Sequence, residues 1–164
     1  SIFDDWSMPA MVRWGNVGAF DGGLSTPAER DLRAWYADLL ALAQDPSVRG
    51  ERYWGLEYVN NAATHADAAD ALFSYARFAT GSGRLVLVVA NFAPGTATTG
   101  RIRIADELAA AAGLSSTALL TARRVLDETG AVSVTAGAGS RADLVASGFS
   151  VTIADQATHV FIVE

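Results

Sequence analysis

Apolar and polar positions along the chain change period once, near residue 50. Before it, Leu32, Trp35, Tyr36, Leu39, Leu40 and Ala43 recur at spacings of three and four, the signature of one broad helix face. Thr26-Pro27-Ala28-Glu29 supplies the start, with Thr26 as N-cap, Pro27 in the first turn and Glu29 three residues on to complete a capping box. Asp45-Pro46 ends it, because the residue before a proline disfavours helix. The spacing therefore predicts a helix over 27–44. Residues 1–25, rich in Gly, Asp and Trp, read as an ordered loop with one helical turn over 8–13.

After residue 50 the period is two. Strands are predicted over 52–57, 72–78, 84–92, 100–104, 121–126, 131–135, 149–153 and 158–163. Gly81-Ser82-Gly83 joins the second and third as a hairpin, and 85–89 is apolar on both faces, as a central strand must be. One short helix interrupts the series, with Asp106 as N-cap and Gly113 as its stop. No crossover helices are available for a parallel sheet. The fold predicted is mainly β: an antiparallel β-sandwich of Greek-key type with about eight strands, preceded by a loop and one long helix. Phe73, Tyr75, Phe78, Phe92, Phe149 and Phe161 fall mostly on alternations that suit its core.

Composition narrows the chemistry. The 164 residues are 51% hydrophobic, enough to build a sizeable core, and the net charge is −6, so nucleic acid and anionic membranes are poor partners. There is no cysteine, which removes disulfides, thiol nucleophiles and cysteine-bound zinc. All 12 basic residues are arginine, so no lysine is present to hold a phosphate or form a Schiff base. Ser1-Ile2-Phe3 lacks both an initiator methionine and the features of a signal peptide, as expected of an excised piece.

The candidate motifs favour structural readings. Gly137-Ala138-Gly139-Ser140-Arg141-Ala142 has dinucleotide-loop spacing, but only residues 142–147 separate it from the next strand, too few for the helix such a loop needs. His65 reads as a loop residue and His159 as a sheet-surface residue, with no converging metal ligands. Asp4-Asp5 and Asp127-Glu128 are adjacent pairs, whereas a glycosidase needs two carboxylates facing across a cleft; the second reads as a turn. Trp35 belongs to the helix face. Trp6 and Trp14 can lie against a partner surface or stack on a sugar.

The strings Ser1-Ile2-Phe3-Asp4-Asp5-Trp6-Ser7-Met8-Pro9, Arg13-Trp14, Gly18-Ala19-Phe20-Asp21-Gly22-Gly23 and Leu32-Arg33-Ala34-Trp35-Tyr36-Ala37-Asp38-Leu39-Leu40 resemble the C-terminal end of bacterial α-amylase-family glycoside hydrolases, family 13. One departure is Asp5, where that family usually has tyrosine. The resemblance implies that 1–48 is a remnant of the (β/α)8 barrel, its last loop and helix, and that 49–164 is the following β-sandwich, domain C. It also implies that the catalytic acids lie upstream, so no catalytic, cofactor or metal residue carries over and no cofactor is expected. Trp6, Trp14 and Phe20 would border the substrate cleft of the parent, since barrel active sites lie at that end. The role implied is a non-catalytic domain stabilising the barrel of an enzyme acting on α-1,4-glucans; the alternative is a carbohydrate-binding accessory module. The partner expected is the barrel of the same chain, with a homodimer through the 27–44 helix where its apolar face is left uncovered.

Overall fold

A computed structural model describes residues 8–50 and 52–164. Trp6 and the Asp4-Asp5 pair lie outside the described residues. Helix α1 (Met8–Gly15) leads through a 3-10 turn (Asn16–Gly18) to helix α2 (Pro27–Leu42). Both halves of the capping box form: the Thr26 side chain accepts from Glu29 N–H, and the Glu29 carboxylate accepts from Thr26 N–H at 2.8 Å.

Eight strands follow, as two antiparallel sheets. They are β1 (Arg52–Gly55), β2 (Leu72–Phe78), β3 (Leu85–Asn91), β4 (Thr98–Ile102), β5 (Leu120–Asp127), β6 (Gly130–Gly139), β7 (Phe149–Ile153) and β8 (Thr158–Val163). One sheet runs β1-β2-β3-β8-β5-β6 and the other pairs β4 with β7. The second sheet continues a ribbon already begun in the first. β3 pairs β8 as far as Ala90 opposite Thr158; both chains then turn over together and pair again as β4 and β7, from Thr98 opposite Ile153. The side chain of buried Asn91 sits at this fold and bonds both turns.

Two strands cannot cover six. Helices α3 (Asp106–Ala112) and α4 (Arg141–Ala146) complete the second layer, and Leu108, Ala109, Ala112 and Leu144 join Leu87, Ile102, Phe149 and Phe161 in one core. The segment of α4 begins within the 137–142 string and is not among the helices the sequence predicts. Its own capping box, Ser140 with Asp143, stabilises its first turn, and buried Leu144 anchors it. The N-cap of α3 is Ala105 rather than Asp106, which instead pairs with Arg141 at 2.7 Å. β4 starts two residues earlier than its local pattern suggests, because its register is set by β7, with Ile102 opposite Phe149.

The aromatic expectation is corrected on one face. Phe78, Phe149 and Phe161 lie in the core, but Phe73 and Tyr75 alternate with buried Leu72, Ser74 and Ala76 and so face the other way. That outer face is covered in part by α2. Trp35, Leu39 and Leu42 pack on Val86, Leu126, Val160 and Ile162, and Trp35 Nε1–H donates to the Asp127 carbonyl at 2.7 Å. Asp38 accepts from Ala131 N–H at 2.9 Å. No residue of α2 is itself buried, so its apolar face is wider than the sheet it rests on.

Candidate functional site

Trp14 lies in α1 and Phe20 on the loop that follows it. Trp14 is half-buried, with the Arg33 guanidinium 3.8 Å above its ring, a cation–π contact. A Cβ on Gly22 would come within 2.7 Å of that ring, so glycine is required for the loop to pass. Phe20 is exposed and has φ +53°, and Asn16 and Val17 also hold positive φ, an unfavourable backbone for a β-branched residue such as Val17. Asp21 Oδ1 ties the loop by accepting from Asn16 Nδ2 at 2.7 Å and Gly23 N at 2.9 Å. Those bonds, Asn16 first, hold its carboxyl below the usual range.

The polar cluster at the β5–β6 turn was not legible as a unit. Oxygen or nitrogen atoms of Asp127, Glu128 and His159 all lie within 4.8 Å of one another, a possible metal donor set. The neighbouring groups argue against that use. Arg124 Nε lies 3.3 Å from Asp127 Oδ2, and its Nη1 lies 3.4 Å from His159 Nδ1. A guanidinium has only donors, so Nδ1 accepts and the His159 Nε2–H donates to Glu128 at 3.0 Å. Asp127 Oδ1 accepts from the Thr129 N–H and hydroxyl. Burial pushes the Asp127 carboxyl up, but the two Thr129 bonds and the Arg124 charge outweigh it and hold the group below the usual range. A cation entering here would have to displace a guanidinium. The cluster is an ion-paired network, with the Arg124 Nε–H facing Asp127 but making no hydrogen bond, and it fixes the turn against which Trp35 docks. His159 is buried on the core side of the sheet, not on its surface as its alternation suggested.

Other sequence candidates stay apart. Asp67 pairs with buried Arg103 at 2.7 Å and Asp70 accepts from Ala62 N–H, so neither joins His65 in a ligand set. Gly137 and Gly139 lie in β6, and the six-residue α4 that follows offers no dinucleotide site.

Two apolar features went unseen in the sequence. A cavity of about 300 Å³ separates α2 from the outer sheet face, between Leu39, Val48, Tyr75, Val88 and Val160. Beside it runs a row of rings, Tyr53, Tyr75, Phe73 and Phe92, with successive centroids 5.4, 6.0 and 5.9 Å apart. Alternation alone could have put Phe73 and Tyr75 together, but not on the outer face.

No family model matches the chain, and no curated protein matches it. Among solved structures it is similar to CelM2, a bifunctional glucanase-xylanase protein from a metagenome library, at 16% identity and a TM-score of 0.35. The likeness covers 57% of this chain and 16% of that one. This is a weak likeness to a glycoside hydrolase, too slight to carry an argument about site or substrate.

Proposed function

We propose that the chain is a non-catalytic accessory unit of an α-amylase-like glycoside hydrolase, a β-sandwich that packs on the catalytic barrel and stabilises it, the parent acting on α-1,4-glucans. The reading rests on the resemblance carried by residues 1–40. The observation that supports it most is α2, a 16-residue amphipathic helix with no buried residue. Tyr36 and Leu40 are exposed beyond the sheet-packed side, Leu32 is exposed at the rim of a groove it shares with Trp35 and Thr158, and Met11, Val12 and Phe20 on the preceding segment are exposed as well. A soluble protein rarely leaves so much contiguous apolar surface open, so a further surface belongs on it. On this reading residues 1–48 belong to the barrel, and Trp6, Trp14 and Phe20 line its mouth. Incubated with soluble starch or maltoheptaose, the 164-residue chain releases no reducing sugar; turnover that survives repurification overturns the reading. In a chain that joins this unit to an α-amylase-type barrel, Leu32→Ser with Leu40→Ser lowers the melting temperature of the barrel; no change would count equally against it.

The row Tyr53, Tyr75, Phe73 and Phe92 favours a second reading, a carbohydrate-binding surface. Tyr53 and Phe92 are exposed and can stack on the C–H faces of sugars, with Phe73 and Tyr75 partly buried between them, although the rings are tilted 32°, 51° and 63° to one another rather than coplanar. Retardation in a starch-containing native gel that Tyr53→Ala or Phe92→Ala abolishes would establish it over the first.

A further inference from the structure

We infer that the 164-residue chain pairs with a second copy of itself, α2 against α2 in antiparallel sense, through Leu32, Tyr36 and Leu40 and the adjoining surface of α1. The expected pairing through the whole apolar side of the helix is thereby narrowed, because Trp35, Leu39 and Leu42 are taken by the sheet. Leu32, Tyr36 and Leu40 follow one another at four-residue spacing on a neighbouring face and are 58%, 53% and 63% exposed. Segment 8–25 does not fold over them. Arg13 is bonded to Glu29, three residues before Leu32 on the same face, and Trp14 stacks under Arg33. These contacts set α1 at the N-terminal end of the stripe, where Met11 and Val12 are themselves 50% and 65% exposed and lengthen it.

Extent and charge both suit a second copy. The five side chains present on the order of 500 Å² of apolar surface, most of the roughly 800 Å² each partner gives to a stable interface. In a two-fold interface every residue meets the same patch it belongs to, so a charged patch opposes itself. Over 28–44 most charged groups are already engaged within the chain, Glu29 by Arg13, Arg30 by the Ser25 carbonyl, Arg33 over Trp14 and Asp38 by Ala131 N–H, which leaves Asp31 to solvent. Ala37 and Ala41 on the exposed side of α2 leave room for close approach of a second helix. Tyr36 is midway between Leu32 and Leu40, so an antiparallel pairing centred on the stripe puts the axis beside Tyr36.

The absence of cysteine makes that axis directly testable. Sedimentation of the wild-type chain at a few hundred micromolar reads twice the 17.2 kDa monomer mass, and Leu32→Ser with Leu40→Ser returns it to one. Under mild oxidation Tyr36→Cys forms a disulfide-linked dimer at least about tenfold faster than Ala97→Cys in the exposed β3–β4 loop, because only the first cysteine meets its own copy. The cysteine variants keep Leu32 and Leu40, so they report even where the serine variant fails to fold. A wild-type chain that stays monomeric, a dimer that survives in a folded serine variant, or equal cross-linking of the two cysteines each overturns the inference. Pairing does not rest on the proposed function, since sedimentation reads it without substrate or barrel.

Discussion

Replacing Asn91 with alanine tests whether the folded-over ribbon is held at its corner by one side chain. Asn91 is 2% exposed. Its Nδ2 lies 2.9 Å from the Thr96 carbonyl, 3.1 Å from Ile153 and 2.9 Å from Ala154, and its Oδ1 accepts from Ala93 N–H at 2.9 Å and the Thr98 hydroxyl at 3.0 Å. An amide has two N–H donors and two lone pairs, so the three carbonyls share two protons and four full hydrogen bonds are made. At about 1 kcal/mol net each the loss approaches 4 kcal/mol, and water reaching the half-buried partners reduces it to about 3. For a chain of this length that corresponds to a fall of about 9 °C in melting temperature. Urea unfolding followed by circular dichroism measures it. Asn61→Ala is the control, because that amide also makes four bonds, to the Glu57 and Tyr58 carbonyls and from the Thr64 N–H and hydroxyl, but in a loop where water replaces them, so its loss costs less than about 1 kcal/mol. Asn91→Asp separates donor from acceptor. It keeps the bonds from Ala93 and Thr98 but turns a carboxylate oxygen toward three carbonyls, which raises its folded pKa above the unfolded one. That variant is weakest at neutral pH and recovers as pH falls. A loss below about 1 kcal/mol for Asn91→Ala, or an aspartate variant insensitive to pH, would refute the corner argument.

Further outcomes follow from single contacts. Gly148→Ala puts a Cβ 2.2 Å from the Ile102 carbonyl oxygen at φ +61° and destabilises by about 3 kcal/mol in urea, whereas Gly95→Ala, at φ +72° in open space, costs about 1. Glu29, bonded by Arg13 and by Thr26, titrates near pH 2 by NMR; its contribution to stability is complete above its unfolded pKa and lost as pH falls through about 2, and Arg13→Ala returns the midpoint toward the ordinary range. Millimolar Zn²⁺ or Mn²⁺ leaves the melting temperature unchanged because Arg124 already occupies the Asp127–His159 cluster; a rise would show that the metal displaces it.

What the sequence determined by itself is local. Thr26 to Glu29 start α2 because a capping box needs only residues three apart, and Gly113 stops α3 because its φ of +75° suits a residue without a Cβ. Local pattern placed β2 and β3 for the same reason: alternation in β2 states which side chains share a face of the pleat, and an apolar run in β3 marks a strand covered on both faces. Ser140 and Asp143 carried the α4 signal too, hidden by the glycines before them. Alternation does not state which face is inside. In β2 the small Ser74 and Ala76 are buried while Phe73 and Tyr75 look outward, because the β4–β7 ribbon and α3 close over the other side of the sheet. The same limit governs α2, whose period marked an apolar face but not how much of it the sheet would cover. The Asp127–His159 cluster lay further still from view. His159 stands more than thirty residues from Asp127 and Glu128 and meets them only because β5 and β8 are neighbours, a pairing set by long-range register that no local spacing encodes.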